Sequence, residues 1–136
     1  MGAILNLFNQ TTEHPMRKIE AQMVQAIQGN RNWSNANTTV TFDPETGNSM
    51  VYLHGNHIAT VTEDSMTIMD GGWKSVTTKS RLNALCDAFC IAGEGVFQKA
   101  HTWYVRQFVG AINGESKFQN LPFSGEFVFS DEFVFA

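Results

Sequence analysis

Cysteine and charge are both scarce in this chain, and each scarcity removes a class of protein. Two cysteines, Cys86 and Cys90, cannot build the framework of a small secreted disulfide domain. They lie four apart on one face of an expected helix, where a mutual disulfide is geometrically unfavourable, and two free thiols fit a reducing cytoplasm. With 16% charged residues and 43% hydrophobic residues, disorder is not the default state. No apolar run approaches the ~20 residues of a membrane-spanning helix. Met1–Phe8 lacks the positive leader of a secretory signal, and Asn6 stands where a myristoylation signal requires Ser or Thr. The expectation is a cytoplasmic protein that engages no membrane.

Basic excess is also missing. The net charge is −4, and Glu126, Asp131 and Glu132 in the last sixteen residues carry most of it with no base beside them. A dedicated duplex-DNA binder would be strongly basic, and a wholesale DNA mimic far more acidic. Catalytic signatures are equally thin. The Gly-x4-Gly-Lys-Ser/Thr phosphate loop is absent, and so are paired carboxylates in a motif. His54, His57, His101, Asp70 and Asp87 could serve as acids or bases, but none sits in a recognisable spacing. His54 and His57 make only half a zinc site, and Cys86 and Cys90 fit an apolar helix stripe better than a ligand set. The chain is therefore expected to be non-enzymatic, without cofactor or metal.

What is present is enough apolar material for one ordinary domain of 136 residues. A first helix is expected from near Thr12 or His14, with Pro15 in its first turn. Its buried face would be Met16, Ile19, Met23, Ala26 and Ile27, ending at Gly29-Asn30. Four short strands follow at 38–42, 50–54, 58–62 and 66–69. Gly55-Asn56 is read as a two-residue loop of type II′, which makes His54 and His57 its closing pair. A second helix is expected over 78–92, with Leu82, Leu85, Cys86, Phe89 and Cys90 as its stripe and Gly93 as its stop. Residues 96–99 and 103–109 read as a hairpin. The end holds two copies of a six-residue pattern, Ser124–Phe129 and Ser130–Phe135. They read as a strand pair, or as one strand and a free acidic–aromatic tail. The sum is an α+β fold, an antiparallel sheet of four to six strands packed against two amphipathic helices. Its parts are an arm over 1–12, a domain over 13–120 and an acidic, aromatic segment over 121–136.

The segment from Gly71 to Asn83 carries the functional expectation. It runs from a glycine turn into the start of the second helix with three cations, several hydroxyls and no acid. A helix start presents unpaired N–H groups and about half a positive charge. Added bases make it a receptor for a phosphate or a partner's carboxylate. Trp73, Lys74, Thr77, Thr78, Lys79 and Arg81 are the expected partner-binding residues, with the cluster open to solvent. The hairpin tip, His54, Asn56 and His57, is expected as a second contact. The plainer alternative is that Thr77 or Thr78 caps the helix, Trp73 plugs the edge of the core and the cations form a solvated face.

Val51-Tyr52-Leu53-His54-Gly55-Asn56-His57-Ile58-Ala59, Gly72-Trp73 and Thr77-Thr78-Lys79-Ser80-Arg81-Leu82-Asn83-Ala84-Leu85 resemble a group of small uncharacterised proteins of tailed bacteriophages. Asn37–Val40, Gln98-Lys99 and Trp103-Tyr104-Val105 extend the resemblance over about residues 15–110. It implies a phage or prophage source and a bacterial cytoplasm. Small phage proteins of this kind often bind and block a host protein, so it also implies a host or antiviral-defence complex, of CRISPR or restriction type, as partner. A nucleic-acid accessory protein, using the same residues on phosphates, is the alternative.

Overall fold

A computed structural model describes residues 16–130. The arm over 1–12 and the second copy of the C-terminal pattern lie outside the described residues. The first helix starts later than expected: Met16 and Arg17 are not helical, and Arg17, in extended backbone, is its N-cap. Helix α1 spans Lys18–Gln28. Strands β1 (Trp33–Asn35), β2 (Thr38–Asp43), β3 (Asn48–Leu53), β4 (Asn56–Val61) and β5 (Ser65–Met69) follow as a meander. Helix α2 spans Val76–Phe89. Strands β6 (Gly95–Lys99), β7 (Thr102–Ile112), β8 (Glu115–Pro122) and β9 (Glu126–Ser130) complete the described chain.

The fold is α+β, with two antiparallel sheets of six and three strands. The larger runs β1-β2-β3-β4-β5-β9, the smaller β6-β7-β8. Alternation drives the larger sheet. In β2 and β3, Thr38, Val40, Ser49, Val51 and Leu53 point inward and are buried, while their neighbours face outward. The helices cover that inward face. Met23, Val24, Ala26 and Ile27 of α1 join Leu82, Ala84, Leu85 and Cys86 of α2 in one core with Val40, Val51, Ile58 and Ile68. Phe89 and Cys90 are half-buried at its margin, and both cysteines are free. Among the described residues no helix is long and apolar enough to cross a membrane.

Three local differences from the sequence expectation have physical causes. The β3–β4 turn is formed by His54 and Gly55, with φ of 53° and 79°, and is closed by Leu53 opposite Asn56. Positive φ at both loop residues is the type I′ pattern, which like type II′ matches the strand twist but places the glycine second. His57 therefore faces Tyr52 across the ladder and not His54. Helix α2 begins earlier than expected because Ser75, rather than Thr77 or Thr78, caps it by accepting the Thr78 N–H at 3.1 Å. It also ends earlier, at Phe89, with Gly93 in the following turn packed beneath the Phe118 ring. The first copy of the C-terminal pattern is a strand of the larger sheet: Phe127 faces Ile68 and Phe129 faces Met66.

Candidate functional site

The start of α2 is organised by Asp70. Its Oδ1 accepts the Gly72 N–H at 2.7 Å, its Oδ2 accepts from Lys74 Nζ at 2.8 Å, and its carbonyl accepts the Trp73 N–H. Burial acts to raise the Asp70 pKa, but the hydrogen bonds from Lys74 and Gly72 outweigh it and leave the carboxyl below its ordinary value. Gly71, at φ 68°, lies so close to Ile58 and Asn56 that a Cβ would come within 3.1 Å of Ile58 Cγ2. The turn thus presses against the β3–β4 hairpin. Thr78 donates its hydroxyl to the Trp73 carbonyl at 3.1 Å and completes the link between turn and helix.

One consequence is a concavity of about 440 Å³ shared by the two segments singled out from sequence. Leu53, His54, Asn56 and Ile58 form one wall, and Asp70, Gly71, Trp73, Ser75, Thr77 and Thr78 the other. Trp73 on its rim is 72% exposed, and Val76, the first residue of α2, is 70% exposed. Two large apolar side chains three residues apart, both open to solvent, are unusual for a helix start.

The cations do not behave as expected. Arg81 is 3% exposed and buried between α1 and the sheet. Its Nη1 donates to Glu20 Oε2 at 2.8 Å, its Nε to Thr38 Oγ1 at 3.0 Å and its Nη2 to Asn37 Oδ1 at 3.2 Å. Ser80 donates to the same Glu20 oxygen at 2.6 Å. Arg81 therefore cannot face an external anion; its charge is spent on an internal carboxylate. Thr78 is likewise buried, its hydroxyl used within the turn. Lys74 is paired with Asp70. Lys79 reaches the other way, its Nζ 6.0 Å from the Trp103 ring of β7. The expected solvent-open cationic cluster is corrected on these grounds: the opening exists, but among the described residues no lysine or arginine lines it. Thr77 lines it.

His57 does not line this concavity. Its Nε2 lies 2.9 Å from both the Ala59 carbonyl and the Thr60 hydroxyl, and its ring packs at 5.2 Å from Tyr52. His54 and Cys90 belong to different hollows at opposite ends of α2, so the fold does not assemble the Cys2His2 set. Sequence reasoning missed Asp70 as the organiser of the turn and Val76 as an exposed anchor. A signal existed for the first, since Asp70 and Lys74 are four apart and opposite in charge. None existed for the second, because Val76 sits where an apolar helix residue is ordinarily covered.

Residues 16–130 match the family model described as Kyanoviridae Gp96 protein. Neither a curated protein nor a solved structure matches the chain.

Proposed function

The chain belongs to the Kyanoviridae Gp96 protein family, a family of phage proteins, and from that premise we propose that it is a non-enzymatic binding protein. Its partner is a host or antiviral-defence protein complex, of restriction or CRISPR type, and it acts there as an inhibitor. The contact is the hollow between the His54–Asn56 turn and the start of α2. The observation that carries this reading is the exposure of Trp73 on the rim of a concavity, with Val76 exposed three residues on. Tryptophan is among the residues most enriched at energetic centres of protein interfaces. Lys74 and Arg81 are engaged with carboxylates of this chain, and Lys79 leans on Trp103. That favours a protein partner over phosphates, because nucleic-acid binding draws most of its affinity from unpaired cations.

The test is affinity capture from lysate of a bacterial host, with wild type and a Trp73→Ala/Val76→Ala variant side by side. The expected result is a defined protein complex retained by wild type at 0.5 M salt and lost by the variant. Retention of the same complex by both would remove the Trp73 face as the contact. Capture of nucleic acid that disappears steeply with salt would replace the reading with the nucleic-acid one.

A further inference from the structure

A second hollow, of about 330 Å³, lies at the far end of α2. Its lining is mixed: Met66 of β5, Phe89 at the end of α2, Phe108 of β7 and Phe129 of β9 give apolar surface, and Ser65 and Gln107 polar surface. Glu63 and Asp64, in the exposed β4–β5 turn, and Glu94, in the α2–β6 turn, line it, and no lysine or arginine does. Glu94 is held in place, its two oxygens accepting the Ile91 and Phe108 N–H groups at 3.1 and 2.9 Å. Phe89 closes α2 here, and a helix C-terminus carries about half a negative charge. The last turn holds no base to offset it. The buried Cys86 thiol registers the same surroundings. Its pKa is raised first by the hydrogen bond with Cys90 and by burial, and then by the charges of Asp87 and Glu94. Arg106, on β7, does not neutralise the hollow; its guanidinium stacks 4.2 Å from the Phe118 ring.

A hollow lined in part by aromatic rings, with charged groups of one sign, calls for a side chain that is cationic at its tip and can lie against those rings. Guanidinium fits best. It is planar, stacks on phenyl faces, is more weakly hydrated than ammonium and can meet carboxylates through two parallel bonds. We propose that this hollow is a docking site for an arginine side chain presented by a basic protein segment. The site is separate from the Trp73 face and does not depend on the reading given to it.

An NMR titration of the full 15N-labelled chain tests this with blocked glycine–arginine, glycine–lysine and glycine–citrulline peptides of equal length, up to millimolar concentration. The arginine peptide is expected to shift the amides of residues 62–66 and 90–94. Lysine should bind more weakly, and neutral citrulline should leave those amides unmoved. Glu63→Gln/Asp64→Asn removes two exposed charges without disturbing the core, and should weaken arginine binding roughly five- to tenfold. Trp73→Ala should leave it unchanged. No shift in these amides with arginine, equal shifts with citrulline, or undiminished affinity in the double variant would each overturn the site. Loss of arginine binding in Trp73→Ala would place the contact at the other end of the helix and overturn it too.

Discussion

The two ends of α2 differ in how charge is treated. At its start, where backbone N–H groups favour anions, the chain supplies Lys74, Lys79 and Arg81, and then neutralises or covers them. At its end, where carbonyls favour cations, it supplies Asp87 and Glu94 and no base. Both ends run against the dipole preference. At the start the mismatch is resolved inside the molecule, by Glu20 and Asp70. The large apolar side chains exposed there are Trp73 and Val76; the end carries carboxylates around a hollow lined in part by phenylalanine. A helix built against its own dipole at both termini holds a surface whose two halves suit different chemistry.

Removing the internal resolution is the largest way to break this contrast. Arg81→Met leaves Glu20 buried without its cation, and should cost about 3–5 kcal/mol of unfolding free energy. Urea denaturation measures it. Glu20→Gln combined with Arg81→Met should recover part of that loss, because no buried charge then stands alone. Next comes the cap. Ser75→Ala removes the acceptor of the Thr78 N–H and should destabilise by ~1 kcal/mol, read from the same urea midpoints. Such a loss would show that the helix start is held by a neutral hydroxyl and not by its cations.

A pH series sharpens the contrast further. The folded-state pKa of Asp70 is lowered, so its contribution is fully present above the ordinary aspartate value near ~3.9 and is lost as pH falls through the lower folded value. Wild type and Asp70→Asn should therefore differ in urea midpoint at pH 7 and converge as the pH drops below about 4. A difference that persists unchanged in acid would mean that geometry, not charge, makes Asp70 useful. The smallest effect on stability is expected at the most exposed of the large hydrophobic residues described. Trp73→Ala should shift the unfolding free energy by no more than ~0.5 kcal/mol. A larger loss would mean that Trp73 serves the fold.

The meander and both helices were legible because the signals there are periodic and local. Thr38–Phe42 alternates, and Met23, Ala26 and Ile27 recur at helical spacing; each survives in the structure. Strand β8 was not legible, since Glu115–Pro122 has most of its residues exposed and no alternation to betray it. Glu20 and Arg81 were unreadable for another reason. Each resembles an ordinary surface charge until the 61-residue separation between them is closed by folding. At the site, the hairpin tip and the Trp73 segment could be named separately, and the structure places them around one hollow. That they face each other depends on Gly71 pressing against Ile58 and Asn56, a contact between a turn and a strand that no local pattern encodes.

The position of β9 has a consequence for biosynthesis. Strand β5 is made early, but its outer neighbour is the last described strand of the chain, so Met66 and Ile68 wait with an unpaired edge while α2 and the smaller sheet are translated. Until residues 126–130 emerge from the ribosome, the nascent protein presents a half-finished sheet, the kind of edge that recruits chaperones or sticks to other chains.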